Sequence, residues 1–252
     1  MTQRHLTILT GASRGMGLAM AQQLLQRGHD LLCISRKTND ALAAQAAQAG
    51  RQCEQWPQDL ARGDTAAAKL ETWLQAQDSG TLASVTLINN AGMIPQIAPI
   101  DGVSPAQLAE AMRVDLEAPM LLTGAFLRAT NGWPVTKKIL NISSGLGRQP
   151  MASQAVYCAA KAGMDHFSRC VALEQAALPH GARVCSVAPG VIDTDMQVQM
   201  RSADSARFPD KDKFVGMKEN GALSSPDQAA ARLLAFLERP DFGSNVVTDA
   251  RG

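Results

Sequence analysis

The sequence is poor in several features that would narrow its function class. Aromatic residues make up 4% of the 252 residues, and Tyr157 is the one tyrosine. Charge is balanced, with 24 lysines and arginines against 23 aspartates and glutamates, so the formal net charge is +1. This balance gives no electrostatic reason to expect binding to nucleic acid or to an anionic membrane.

Long apolar runs and paired cysteines are also missing. No run approaches the roughly 18 apolar residues that cross a membrane, and the first strand pattern begins at residue 6, so we expect no signal peptide. The five cysteines form no C-x-x-C pair, and the four histidines are isolated from one another. Because disulfide scaffolds and zinc sites need closer grouping, we expect reduced thiols, a cytoplasmic location and no metal site.

Short apolar runs alternate with helical patterns along the chain. Such alternation predicts parallel strands joined by right-handed helical crossovers, and continuous apolar strands indicate a sheet covered on both faces. We therefore predict one α/β domain over residues 1–252, a doubly wound Rossmann-type parallel sheet of about seven strands with helices on both faces. The predicted strands are residues 6–10, 31–35, 51–56, 84–90, 137–143, 182–188 and 245–249.

Residues 193–221 depart from this alternation, because they are polar, weakly periodic and broken by Pro209. The segment is too long for a plain connection, so we predict a mobile lid over a ligand site.

The glycine-rich stretch "TGASRGMG" lies between the first predicted strand and the first predicted helix, at residues 10–17. Gly11 allows a tight turn, Gly15 leaves space for a phosphate, and Gly17 lets the helix pack close to the strand. A pyrophosphate would then meet free N–H groups at the positive end of the helix dipole. A tight structural connection is the alternative. The predicted cofactor contacts in this turn are Gly11, Ser13, Arg14, Gly15, Met16 and Gly17.

Four motifs in order, "TGASRGMG", "NNAG" (89–92), "YCAAK" (157–161) and "APGVIDT" (188–194), resemble the short-chain dehydrogenase/reductase family over essentially the whole chain. The resemblance implies a Rossmann fold, a nicotinamide cofactor and hydride transfer to or from a carbonyl carbon. It also implies that Asn90, Ala91 and Gly92 pass beneath the cofactor. The predicted nicotinamide contacts are Pro189, Gly190, Val191, Ile192 and Thr194, and the predicted adenine contacts are Asp59 and Leu60.

Tyr157 and Lys161 are four residues apart, so they share one face of a helix. A free tyrosine titrates at about pH 10, and a nearby ammonium lowers its pKa toward the range of a useful general acid. By resemblance, Lys161 also holds the nicotinamide ribose, and Ser144 binds the substrate oxygen. Asp115 stands where many family members have an asparagine. If its carboxylate reaches Lys161, it opposes the lowering of the tyrosine pKa; if only its backbone carbonyl acts, the change is mild.

The second predicted strand ends with Ser35 and Arg36, where an acidic residue would favour NAD. Because a guanidinium suits a 2′-phosphate, we expect NADP(H), with Arg14 approaching the same phosphate.

Three stretches, "YCAAKAGMDHFSRCVALEQ" (157–175), "APGVIDTDMQ" (188–197) and "DFGSNVVTDARG" (241–252), are similar to sepiapterin reductases and bacterial benzil reductases. The resemblance puts Asp249 near the position at which sepiapterin reductases hold the pterin. A structural cap on the last strand is the alternative role for Asp249. Candidate pocket walls are Met93, Leu146, Met151, Met196, Met200 and Phe208, although each could be ordinary core.

The leading hypothesis is an NADPH-dependent reductase of a dicarbonyl or of a pterin side-chain ketone. A reductase of 3-oxoacyl, sugar or steroid carbonyls and a non-catalytic NADP(H) sensor are the alternatives. The predicted helices 104–130 and 153–177 resemble those by which the family dimerises, so we expect a homodimer or homotetramer.

Overall fold

Seven parallel strands and nine α-helices alternate in the computed structural model, which describes residues 4–251. The strands are β1 (Arg4–Thr10), β2 (His29–Ser35), β3 (Cys53–Pro57), β4 (Leu82–Asn89), β5 (Thr136–Ile142), β6 (Arg183–Ala188) and β7 (Val247–Asp249). The helices are α1 (Gly15–Gln26), α2 (Asp40–Gln48), α3 (Gly63–Gln75), α4 (Pro105–Met112), α5 (Ala118–Ala129), α6 (Ala155–Ala176), α7 (Asp195–Arg201), α8 (Lys211–Glu219) and α9 (Pro226–Glu238).

All the strands form one sheet in the order β3-β2-β1-β4-β5-β6-β7. The α1, α2 and α9 helices supply one apolar layer, and α3, α5 and the middle of α6 supply the other. The predicted Rossmann-type fold is thereby confirmed. Because the strand order reverses between β1 and β4, the carboxyl ends of these two strands border the crevice in which such folds bind ligands.

The predicted long helix over residues 104–130 is divided into two. Ser104 caps α4 by accepting a hydrogen bond from the Gln107 N–H at 3.3 Å, and a π-helical turn over Arg113–Glu117 separates α4 from α5. This turn carries Asp115. Turns of this kind inside α-helices often accompany functional sites. Within residues 4–251, no helix combines the length and the apolar character needed to cross a bilayer.

The segment 193–221 contains two helices, α7 and α8, that its weak periodicity does not predict. Met200, Phe208 and Phe214 of this segment are buried together with Tyr157. The Phe208 and Phe214 rings stack with their centroids 5.6 Å apart. These tertiary contacts stabilise helices of seven and nine residues, which are too short to form alone in water.

A row of buried polar side chains crosses the centre of the sheet beneath α6. Asn89 of β4 is in register with Asn141 of β5, and Asn141 is in register with Ser186 of β6. The Asn89 amide donates to Asn141 Oδ1 at 2.8 Å, and the Asn141 amide donates to Ser168 Oγ on α6 at 2.8 Å. These hydrogen bonds fix the position of α6 relative to the carboxyl ends of the strands.

Asn141→Ala should lower the free energy of unfolding by about 2–3 kcal/mol, because it leaves the buried polar groups of Asn89 and Ser168 short of a partner. Urea denaturation measures this loss. The control Asn131→Ala, at an exposed turn, should change stability by less than about 0.5 kcal/mol. Equal stability of the two variants would show that the buried row contributes nothing.

Candidate active site

The glycine turn between β1 and α1 has the backbone shape that its glycines predict. Gly11 and Gly15 have positive φ values of 71° and 54°, which favour glycine. A Cβ atom at Gly17 would collide with the carbonyl oxygen of Gly11. Gly17 is therefore needed for close approach of α1 to the turn itself, rather than to the strand. Beside Gly15 the space is open, since a Cβ there would meet only Thr194 Cγ2, at 3.8 Å.

The "NNAG" loop after β4 is hydrogen-bonded to this turn. Thr10 Oγ1 accepts the backbone N–H groups of Asn90 and Ala91, both at 2.9 Å. The Asn90 amide donates to the Thr10 carbonyl at 2.9 Å. These bonds join the carboxyl ends of β1 and β4, so the predicted cofactor contacts in the turn and in the loop lie at the switch point of the sheet.

The predicted contacts to the adenosine half lie at the ends of β2 and β3. Ser35 is buried and its hydroxyl has no hydrogen-bond partner. Arg36 is exposed and makes no ion pair within residues 4–251. Asp59 Oδ1 accepts the Ala61 N–H at 3.0 Å as a helix cap, while Leu60 is buried in the core. An exposed guanidinium without an ion-pair partner in the described part of the chain, at the end of β2, fits a ribose phosphate.

Arg14 forms an ion pair with the segment predicted to act as a lid. Its Nη1 atom lies 2.6 Å from Asp195 Oδ2 at the start of α7, and the two side chains are 69% and 73% exposed. Sequence reasoning missed this partner, because 181 residues separate the pair along the chain. The guanidinium is thus directed across the rim of the crevice to the predicted lid, and its contact with a phosphate stays a prediction.

The segment that follows β6 is held by a short bridge to Ser224. The Ser224 N–H donates to the Val191 carbonyl, and the Asp193 N–H donates to the Ser224 carbonyl, both at 3.0 Å. Thr194 Oγ1 donates to the Ile192 carbonyl at 3.4 Å. The predicted nicotinamide contacts, from Pro189 to Thr194, therefore lie on a segment held by backbone hydrogen bonds of the chain itself.

Tyr157 and Lys161 lie on the buried face of α6, next to the end of β5. They are 8% and 3% exposed. Lys161 Nζ donates to the Ile142 carbonyl at 3.1 Å and lies 5.5 Å from the centroid of the Tyr157 ring. Ser144 follows β5 closely, and its hydroxyl accepts the Leu146 N–H at 3.2 Å. The structure thus places all three predicted groups around the end of β5.

Asp115 reaches the same place from the π-helical turn. It is fully buried; Oδ1 accepts the Met93 N–H at 2.8 Å, and Oδ2 has no hydrogen-bond partner. A Cβ atom at Gly92 would lie 3.0 Å from Asp115 Oδ1 and 3.5 Å from Lys161 Nζ, so Gly92 separates the two charges. Burial raises the pKa of Asp115 from its ordinary value of 3.8 to about 6, although Lys161 and the Met93 N–H oppose the rise.

The pKa of Tyr157 is raised rather than lowered, which corrects the expectation from the Tyr–Lys spacing. Burial is the larger cause and the nearby Asp115 the second, while the Ser144 hydroxyl acts in the opposite direction. The expectation failed because the i, i+4 spacing shows neither the burial of the phenol nor the carboxylate that the π-helical turn brings beside it.

Most of the predicted pocket walls come together around Tyr157. Met200 and Phe208 are buried with it, and Leu146, Met151 and Met196 pack against the same cluster. Met93 is not in this cluster. Sequence reasoning missed Ile94, Ile97 and Phe214, which also belong to it. The apolar spacing in "MIPQI" was the signal that could have found the first two.

Asp249, the predicted pterin contact, is paired with a residue of its own chain. Its Oδ1 accepts the Arg251 N–H at 2.9 Å and Nε at 2.8 Å, and its Oδ2 accepts Nη2 at 2.7 Å. The sequence motifs did not indicate a role for Arg148. This residue follows the Ser144 turn, and its guanidinium lies 3.6 Å from the buried carboxylate of Asp165. The Arg251 guanidinium thus engages both oxygens of Asp249.

Comparison with known proteins agrees with this geometry. Residues 5–205 match the sequence profile of the short chain dehydrogenase family, and the chain belongs to that family. The four-motif resemblance is thus confirmed.

Named relatives cover nearly the whole chain. A benzil reductase ((S)-benzoin forming) from Bacillus cereus is 35% identical over 235 residues, which are 93% of this chain and 94% of that protein. A sepiapterin reductase from Xenopus laevis is 31% identical over 250 residues, 95% and 92% of the two chains. The crystal structure of a metagenomic short-chain oxidoreductase in complex with NADP is 27% identical, with a TM-score of 0.73 and coverage of 98% and 95%.

Asp115→Asn should stabilise the protein above pH 6 and should lose this advantage on acidification. The folded wild type holds the Asp115 proton more tightly than the unfolded chain, so its stability falls as pH rises from about 4 to about 6. The asparagine does not titrate and keeps the acceptor for the Met93 N–H. We expect a gain on the order of 2–3 kcal/mol at pH 8, measured by urea denaturation.

Denaturation at pH 4, where neither side chain at position 115 is charged, is the internal control. A stability difference that stays constant from pH 4 to pH 8 would show that ionisation of Asp115 is not its cause. The pH–rate profile of the wild type should bend near pH 6, and that of Asp115→Asn should not.

Proposed function

We propose that the protein is an NADPH-dependent carbonyl reductase that acts on a dicarbonyl or on a pterin side-chain ketone. The observation that carries this proposal is the meeting of Ser144, Tyr157 and Lys161 at the end of β5, beside a crevice bordered by the glycine turn. A non-catalytic NADP(H) sensor would have no use for a buried phenol with an ammonium 5.5 Å from its ring.

The roles follow from the chemistry of the three side chains. A bound nicotinamide dinucleotide supplies the hydride that adds to the carbonyl carbon. The Tyr157 hydroxyl donates its proton to the carbonyl oxygen, and the Ser144 hydroxyl donates a hydrogen bond to the same oxygen. Tyr157 is protonated at neutral pH and can act as a proton donor, although its raised pKa makes it a weaker acid than an ordinary tyrosine. Lys161, fixed by the Ile142 carbonyl, stabilises the phenolate that remains and holds the cofactor ribose.

The substrate class rests on the relatives and on the apolar side chains packed with Tyr157. The Bacillus cereus relative is named for reduction of benzil and the Xenopus laevis relative for reduction of sepiapterin. The side chains that pack in one cluster with Tyr157 are those of methionine, isoleucine, leucine and phenylalanine residues. Such side chains suit a flat, apolar substrate. Reduction of 3-oxoacyl, sugar or steroid carbonyls stays the alternative within the same family.

Tyr157→Phe tests the chemistry. It removes the proton donor and leaves the ring, so kcat should fall by about 100- to 10,000-fold, whereas the Kd for NADPH, measured by quenching of tryptophan fluorescence, should stay within about twofold. Turnover is followed by NADPH oxidation with benzil, sepiapterin and an acetoacetyl ester. Retained turnover would contradict the role of Tyr157, and tight NADPH binding without any turnover by the wild type would favour the sensor.

We propose a preference for NADPH because Ser35 and Arg36 stand at the end of β2, where an acidic residue would favour NAD. The NADP complex of the metagenomic relative supports this proposal. Arg36→Gln should raise the KM for NADPH by about 10- to 100-fold, the worth of a hydrogen bond to a charged group, and should leave the KM for NADH almost unchanged. Steady-state kinetics with both cofactors measure this. Arg51→Gln makes the same charge change at the amino end of β3, away from the crevice, and should leave both KM values unchanged.

A wild type that prefers NADH, or an equal effect of Arg36→Gln on both cofactors, would contradict the assignment.

We also propose that residues 193–221 act as a lid. The Arg14–Asp195 ion pair joins the segment to the glycine turn, and Gln199 Nε2 donates to the Ile94 and Pro95 carbonyls, both at 3.2 Å.

The homodimer or homotetramer stays a prediction. On the helices expected to mediate it, Leu108 is 38% exposed, Met120 is 43% exposed and Leu173 is 77% exposed.

A further inference from the structure

Gln154 carries a buried amide whose polar atoms have no partner in the described part of the chain. The residue occupies the N-cap position of α6, but its side chain makes no capping hydrogen bond. It is 2% exposed, and neither its Nε2 nor its Oε1 has a hydrogen-bond partner within residues 4–251. Because a buried polar group without a partner is unfavourable and rare, this amide points to a polar group on a ligand.

Gln154 begins the buried polar face of α6. It precedes Tyr157 by three residues, as Tyr157 precedes Lys161 by four, and residues at these spacings share one face of a helix. Lys161 hydrogen-bonds to Ile142, the last residue of β5. Gln154 lies about two helical turns before Lys161, so it lies beyond the carboxyl end of the sheet, on the side of the substrate.

The neighbours of Gln154 belong to the apolar cluster around Tyr157 or border it. The Gln154 N–H donates to the Met151 carbonyl at 3.3 Å, and Met151 packs against the cluster. Gln154 also lines a narrow cleft with Pro95 and Ala98, in the loop after the "NNAG" motif. The residue therefore borders both the apolar cluster and open space beside it.

The segment 193–221 covers the start of α6 at this point. The Ser153 hydroxyl donates to the Arg207 carbonyl at 2.5 Å, and Ser153 has a φ of 62°, which residues other than glycine rarely adopt. The covering segment keeps the neighbouring Gln154 amide away from water. A hydrogen bond from this amide to a ligand is strengthened by such low-dielectric surroundings.

We propose that Gln154 determines specificity by donating a hydrogen bond from Nε2 to the second carbonyl oxygen of a vicinal dicarbonyl substrate. In the proposed function, Tyr157 and Ser144 hold the oxygen that is reduced. A vicinal dicarbonyl carries a second acceptor on the neighbouring carbon, and the Gln154 amide is the donor one helical turn from Tyr157. This inference rests on the proposed function and narrows it to ketones with a carbonyl oxygen next to the reacting group.

The test uses Gln154→Met with two matched ketones. Benzil has two adjacent carbonyls, and deoxybenzoin replaces the second one with a methylene group. The kcat/KM for benzil should fall by about 3- to 12-fold, the net worth of one hydrogen bond, and that for deoxybenzoin should stay unchanged. An unchanged kcat/KM for benzil, or an equal fall for both ketones, would overturn the inference.

Gln175→Met is the matched control near the other end of α6. Gln175 Oε1 accepts the Ala182 N–H at 3.1 Å, so this variant should lower the urea midpoint and leave both kcat/KM values unchanged. Gln154→Met exchanges an unpartnered amide for an apolar side chain of similar length, so its urea midpoint should not fall. If Gln154→Met lowers the midpoint as the control does and leaves the choice between the ketones unchanged, the amide is structural and the inference is wrong.

A binding measurement separates this inference from the proposed function. Because Tyr157 is the one tyrosine, 3-fluorotyrosine labelling gives one ¹⁹F signal that reports the surroundings of the phenol. Each ketone is titrated into the complex with NADP⁺, which has no hydride to transfer. If the wild type reduces neither ketone with NADPH, the proposed function fails, and the two Kd values still test Gln154.

The wild type should bind benzil about 3- to 12-fold more tightly than deoxybenzoin, and Gln154→Met should bind the two ketones equally. The wild-type comparison needs no variant, so it decides the matter even if Gln154→Met does not fold. Equal Kd values for the two ketones in the wild type, or no benzil-induced ¹⁹F shift, would contradict the inference.

Discussion

The polar face of α6, buried against the carboxyl ends of β4, β5 and β6, is the constraint on which the rest of the structure depends. Tyr157, Lys161, Asp165 and Ser168 follow one another along this face, and all four are less than 9% exposed. Each of the last three hydrogen-bonds to the sheet, through Ile142, Ser186 and Asn141. Buried polar groups of this kind must be satisfied to be stable. The same bonds that stabilise the helix therefore hold the candidate proton donor in place.

This arrangement brings the charged groups of Lys161 and Asp115 close together in the buried interior. Lys161 is buried, and the group that faces it across Gly92 is the carboxylate of Asp115 rather than a neutral amide. Burial and Asp115 both favour the protonated form of Tyr157, and the Ser144 hydroxyl is the group that favours the ionised form. The position of the Ser144 turn therefore matters for the electrostatics of the phenol as well as for the substrate. Arg148, which follows that turn, lies 3.6 Å from the buried carboxylate of Asp165.

The crevice itself depends on a second set of close contacts. Thr10 joins the glycine turn to the "NNAG" loop, and Gly17 allows α1 to approach the Gly11 carbonyl. Opposite them, Asp195 meets Arg14 across the rim. A cofactor bound between these parts would have the glycine turn and the "NNAG" loop on two sides and the exposed Arg14–Asp195 ion pair on the third. An exposed pair of this kind is worth at most about 1 kcal/mol, so it can open without much cost.

The sequence by itself determined the sheet, the glycine turn and the Tyr–Lys spacing. The sheet follows from local apolar periodicity, the turn from glycines at positions that favour glycine, and the shared helix face of Tyr157 and Lys161 from their separation of four residues. It also pointed to the Asp115 departure. It could not show that Asp115 approaches Lys161, that Tyr157 is deeply buried, or that α7 and α8 form, since each depends on contacts between residues far apart in the chain. The partners of Arg14 and Asp249 were hidden for a related reason. A charged residue pairs with whichever opposite charge the fold brings within reach, and for Arg14 that partner is 181 residues away, so only the tertiary structure decided it.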